Sequence, residues 1–127
     1  MTDITDTAAE NRRIVTEAMT RFAAGDHAVL AEVLADDFVE HSPGNPSGRD
    51  AFIAHIIGAP VARSRLHIAR VIADEHHVVV HYHLDPADGT RGDAVADIWR
   101  VDSGRITEHW DVVQSVPEPA LTPHGMF

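Results

Sequence analysis

Between Thr7 and Ala24, Ile14, Ala18 and Phe22 recur at four-residue spacing beside Val15 and Met19, opposite Glu10, Arg13, Glu17 and Arg21. That periodicity predicts an amphipathic helix. Gly25 reads as its stop and Asp26 as the N-cap of a second helix that turns Val29, Leu30, Val33 and Leu34 inward. Phe38-Val39-Glu40-His41 then reads as a short strand, ended by the turn-rich run Ser42-Pro43-Gly44-Asn45-Pro46. Ser47 followed by Asp50 resembles a capping box and opens a third helix, carrying Phe52, Ile53, Ile56 and Ile57 to about Gly58. Beyond it the period changes to two. Four β-branched-rich segments, 64–73, 77–84, 93–101 and 105–116, are separated by turn residues at Asp74-Glu75, at Asp85 to Gly89 and at Asp102-Ser103-Gly104. They predict an antiparallel meander. Helices first and strands after is an α+β order, with the helices packed on one face of a curved sheet. No repeat, low-complexity tract or linker interrupts it, so residues 1–127 are read as one domain, with 1–6 and the proline-bearing tail 117–127 irregular.

Composition narrows the chemistry. The net charge of −10 comes from 20 acidic residues against 10 arginines. It disfavours nucleic acid and anionic membranes as partners. Neither a signal peptide nor a membrane-spanning apolar run is evident, and a cytoplasmic protein is expected. There is no cysteine and no lysine, which removes thiolate nucleophiles and Schiff-base chemistry. Histidine and carboxylate side chains remain to do acid/base work.

The final hairpin gathers such groups. A short turn at Asp102-Ser103-Gly104 makes paired residue numbers sum to about 206 to 208, depending on the bulge, so Asp97 faces His109 or Asp111. At either of those registers all three share one face with Val95, Trp99 and Val113. Two carboxylates at roughly 5 Å cannot both ionise at low cost on a partly apolar face, so one pKa should rise, and His109 could share the proton. The same periodicity also allows a solvated outer-face pair, and an odd sum would part Asp97 from His109.

Asp97-Ile98-Trp99-Arg100-Val101, Gly104-Arg105-Ile106 and Glu108 to Gln114 resemble the SnoaL-like polyketide cyclase branch of the nuclear-transport-factor-like superfamily. So do the run Leu34 to Gly44, Gly48-Arg49 with Phe52, and the terminal Gly125-Met126-Phe127. The resemblance implies a cone-shaped fold in which a curved, mostly antiparallel sheet wraps three N-terminal helices around an apolar cavity. It also implies an intramolecular aldol condensation without metal or cofactor, with Asp111 as acid and base and Asp97 assisting from the neighbouring strand. Steroid isomerases of the superfamily need a tyrosine on the first helix, whereas Tyr82 lies on a strand. Epoxide hydrolases need an arginine two residues from flanking aspartates, where this chain has Val95 and Trp99.

The resulting expectation is an acid/base enzyme acting on a small apolar carbonyl compound. Asp111, Asp97, His109 and His41 are its catalytic candidates, and Trp99, Val95, Val113, Met19, Phe22, Phe38 and Phe52 line the pocket. The alternatives are a noncatalytic binder of the same fold and a hydrolase or dehydratase using the same residues. His81 and His83 share a face at metal-site spacing, but Val78, Val80, Tyr82 and Leu84 are the more apolar face, so the histidines are read outward and no metal site is expected. Trp99 shares parity with Asp97 and is read inward, leaving Trp110 outside. Homodimerisation through the outer sheet face, around Ala94, Ala96 and Ile98, is expected from lookalikes.

Overall fold

The Asp3 side chain accepts a hydrogen bond from the Thr5 N–H at 3.2 Å and so caps a helix that begins at once, α1 (Ile4–Ala23). Residues 4–6, read from sequence as irregular, are therefore its first turn. In the computed structural model, which describes residues 3–127, α1 buries Val15, Ala18, Met19 and Phe22 as its apolar stripe requires. Asn11, also buried, donates to the Asp74 carbonyl and ties the helix to the far hairpin.

Helix α2 (Val29–Val33) is shorter than its pattern suggested. Asp26 does not cap it: the carboxylate pairs with Arg21 at 2.8 Å instead. Leu34 leaves the helix and opens strand β1 (Leu34–Glu40), where it is fully buried. Helix α3 (Arg49–Ile57) follows, preceded by Gly48 at φ 89° and without the Ser47–Asp50 box. The Gly48 N–H bonds the Phe38 carbonyl, and Ser47 Oγ accepts from the Glu40 N–H, so tertiary contacts claim both residues. A single 3₁₀ turn, Pro60–Arg63, leads into the sheet.

Strands β2 (Arg65–Ala73), β3 (His77–Asp85), β4 (Asp93–Asp102) and β5 (Arg105–Ser115) form the expected meander. The sheet order is β1-β5-β4-β3-β2, and only β1 runs parallel to its neighbour. Val78, Val80 and Tyr82 are buried on the inner face, which the three helices cover.

The β4–β5 turn sets the site. Ser103 and Gly104 both have positive φ, the requirement of a two-residue I′ turn. Near the turn Asp102 pairs with Arg105 and Val101 with Ile106, an odd sum that would send Asp97 and His109 to opposite faces. Thr107 is an extra residue in β5, and this bulge restores an even register: Trp99 pairs with His109 and Asp97 with Asp111.

Gly92, at φ 67°, enters β4 where a Cβ would overlap the Leu84 carbonyl oxygen and stand 2.9 Å from Pro86 Cδ. Gly92→Ala is accordingly expected to destabilise the fold by about 3 kcal/mol or more. Chemical denaturation checks this, and a loss under about 1 kcal/mol would show that the turn yields freely.

Candidate active site

Between the helices and the inner sheet face lies a cavity of about 350 Å³, within the range of small-molecule sites. Met19 and Phe22 of α1, Phe52 of α3, and Val95 and Trp99 of β4 form its apolar walls. Val113 of β5 also lines it and is 53% exposed, which places it at the mouth. Phe38, expected among the lining residues, is not one. It is buried behind Phe52, ring centroids 4.9 Å apart, because β1 packs its inward phenylalanine against α3.

The polar groups converge on one wall. Asp97, His109 and Asp111 all line the cavity, with Tyr82 from β3 and Asn45 from the loop after β1. The Trp99 ring stacks on the imidazole at 3.9 Å. His109 lies between two acids: Nε2 is 2.9 Å from Asp97 Oδ1 and Nδ1 is 2.7 Å from Glu40 Oε1, all three side chains almost wholly buried. An ionised carboxylate only accepts hydrogen bonds, so a doubly protonated imidazole satisfies both contacts.

The environments separate these groups in proton affinity. Burial by itself would lower the His109 pKa, but the hydrogen bonds and charges of Asp97 and Glu40 outweigh it and raise the imidazole to about 9. Burial pushes Asp97 up, the Asp111 charge adds to this, and His109 and Tyr82 offset part of it. Burial would also raise Glu40. The His109 contact, the Ser42 N–H and the Asn45 carboxamide hold it below the ordinary carboxylate value instead. Tyr82 is pushed up, first by burial and then by Asp97, so its phenol keeps its proton.

A pH dependence follows. A histidine raised from its usual 6.5 contributes stability that is complete below about 6.5 and lost as pH rises through about 9. Asp97, also raised, acts in the same sense, since both groups hold more protons folded than unfolded. Denaturation midpoints are therefore expected to fall steadily from pH 6.5 toward 9, the His109 share amounting to about 3 kcal/mol. Midpoints that stay flat across that window would show that the imidazole is not held charged.

His41 does not enter the cavity. Its ring stacks flat on Trp110 at 4.9 Å and its Nε2 pairs with Glu108 at 2.6 Å, both on the outer face. The side chain that faces inward, behind His109, is its neighbour Glu40, which sequence reasoning missed. Side chains alternate along a strand, and Phe38 already faced inward, so parity within β1 pointed to Glu40. The Glu40 carboxylate also accepts from the backbone N–H groups of His41 at 2.9 Å and Ser42 at 3.1 Å. Ser42 Oγ in turn donates to Asp111 Oδ2 at 2.9 Å. Ser42 and Asn45 were likewise missed, having been read only as turn residues. His81 and His83 point outward, as their strand's periodicity required, against Arg70, the Arg91 carbonyl and the Phe127 ring. Among the described residues, the group that could hold a metal ion is Asp97, His109 and Asp111, with one donor atom from each within 4.8 Å of the others.

The family model of the SnoaL-like domain matches residues 15–109. Among curated proteins, none matches. An NTF2-like protein of unknown function from Burkholderia xenovorans LB400 superimposes with a TM-score of 0.77 at 15% identity, covering 94% of this chain and 97% of its own. A protein from Jannaschia sp. CCS1, named as a SnoaL-like polyketide cyclase, gives 0.74 at 16% identity, covering 90% and 92%. One from Kribbella flavida DSM 17836, named as a ketosteroid isomerase, gives 0.73 at 18%, covering 88% and 83%. At these identities the likeness establishes the fold, NTF2-like, while activity has to be argued from the site.

Proposed function

The chain belongs to the SnoaL-like domain family, and from that premise we propose that it is an acid/base enzyme acting on a small apolar carbonyl compound, by an aldol-type ring closure. The observation that carries this reading is the buried chain Glu40–His109–Asp97, which ends beside Asp111 on the wall of an otherwise apolar cavity.

Asp111 takes the proton from the carbon next to the substrate carbonyl. Ser42 holds one of its oxygens, which orients the other. Asp97, opposite Asp111 in register and raised by burial, takes up the proton that His109 shares with it and passes it to the oxygen on which negative charge develops. Two carboxylates in different environments thus divide the acid and base roles. His109 has both ring nitrogens engaged by acids, so it acts through Asp97 rather than on the substrate, and Glu40 keeps it charged and in place. Met19, Phe22, Phe52, Val95 and Trp99 enclose the apolar body and exclude water.

The supporting experiment is a panel of carbonyl, epoxide and enone compounds assayed for both binding and turnover. Turnover of a carbonyl compound upholds the proposal. Affinity without turnover anywhere in the panel would leave a binding protein, and turnover of epoxides alone a hydrolase. Dimerisation through the outer face belongs to the same proposal. Ile98 and Ala96 face outward there beside Trp110, and sedimentation reports the oligomeric state. Among the described residues no helix is long and apolar enough to cross a membrane.

A further inference from the structure

We propose that Asp97, His109 and Asp111 bind one divalent first-row transition-metal ion. This goes beyond the acid/base reading without resting on it, and it runs against the expectation from sequence that no metal is held.

Two neighbouring ligands about 2.1 Å from a cation and at right angles stand about 3.0 Å apart, and ligands on opposite sides about 4.2 Å apart. His109 Nε2 and Asp97 Oδ1 are 2.9 Å apart, the spacing of neighbours. The three donors lie within 4.8 Å of one another, so closing the widest pair to the roughly 4.2 Å of opposite ligands needs a shift of up to about 0.6 Å. Asp111 is the member able to make it, being only partly buried.

The surroundings have the form of an outer shell. Metal-bound imidazoles donate their other ring N–H to a carboxylate, which fixes the ring and raises its basicity. Glu40 does this to Nδ1 at 2.7 Å, which leaves Nε2 facing Asp97. Ser42 Oγ holds Asp111 in the same way.

The charges around the three donors are also unbalanced. Glu40, Asp97 and Asp111 converge here, no arginine lines the cavity, and the chain has no lysine. His109 alone answers three carboxylates with at most one positive charge. A dication on Nε2, replacing the proton there, answers them with two. One nitrogen and two oxygen donors suit manganese, iron, cobalt or zinc better than calcium or magnesium. The outer-face histidines offer a poorer site, since His67 is engaged by Asp85, His81 by Arg70 and His83 by the Arg91 carbonyl.

The test titrates chelator-treated full-length protein with Co²⁺ and with Zn²⁺, following heat and, for cobalt, visible absorption. One ion per chain is expected, with uptake lost in Asp111→Asn and weakened about 10- to 100-fold in Glu40→Gln. The double variant His81→Ala/His83→Ala should bind as the wild type does. No uptake by wild-type protein overturns the proposal, as does uptake that survives Asp111→Asn but disappears with the outer histidines. If Asp111→Asn does not fold, as circular dichroism would show, Glu40→Gln decides: affinity equal to wild type overturns the site. Turnover by the chelated enzyme reports separately on the acid/base reading, so either idea can fail alone.

Discussion

Asp111→Asn is expected to leave the fold and ligand affinity unchanged and to lower turnover at least about a hundredfold, the range for removing a positioned proton acceptor. Asparagine matches aspartate in shape, and its carbonyl oxygen can still accept from Ser42 Oγ, which now donates at 2.9 Å. What it cannot do is take a proton from carbon. The signature is a fall in kcat with KM nearly constant, because the apolar walls that bind the substrate are untouched. Unchanged turnover would remove Asp111 from the mechanism, and with it the division of labour between the paired aspartates.

The second large effect concerns stability. His109→Leu should cost about 3 to 5 kcal/mol, because it leaves Glu40 and Asp97 buried without their shared partner. In a domain of this size the melting temperature should fall by roughly 10 °C or more. The more informative variant adds Glu40→Gln and Asp97→Asn to His109→Leu. If unpaired charge is the cause, neutralising both acids recovers at least half of the loss, since a buried ionic group replaced as a whole costs far less than one with a member removed. The amide that replaces the Glu40 carboxylate keeps an oxygen for the backbone N–H groups of His41 and Ser42, so the loop after β1 has no separate reason to unfold. A triple variant no more stable than the single one would mean that lost packing against Trp99, not charge, sets the cost.

The two variants probe different consequences of one arrangement. Asp111 stands on the cavity wall, where substrate can reach it, and its removal is a matter of chemistry. His109 is enclosed by Glu40, Asp97 and the Trp99 ring, so its removal is first a matter of folding. An activity assay on His109→Leu would confound the two, which is why its predicted effect is read in denaturation.

Much of this was legible in the chain. The β3 pattern places Val78, Val80 and Tyr82 inside and His81 and His83 outside, and the parity of β4 and β5 separates Trp99 from Trp110. These follow from alternation within one strand, which needs no partner. The failures fall where a partner decides. Asp26 suits a helix cap, yet Arg21 takes its carboxylate. Ser47 and Asp50 have capping-box types, yet Ser47 bonds the Glu40 N–H. The choice of His41 over Glu40 was a local failure instead: Phe38 faces inward, so alternation along β1 turns Glu40, not His41, toward His109.

By itself the sequence determined the order of helices and strands, which face of each strand is apolar, and a repertoire centred on carboxylate and imidazole chemistry. Those are local or compositional properties, written in periods of 3.6 and 2 and in the absence of lysine and cysteine. Only the tertiary structure decided which polar groups meet. The two-residue turn at Ser103-Gly104 alone would have parted Asp97 from His109, and the single extra residue at Thr107 brought them to one side. Strand pairing is nonlocal, and a slip of one residue reverses every side chain, so the energy of the whole packed sheet, rather than any short stretch of chain, selects the register.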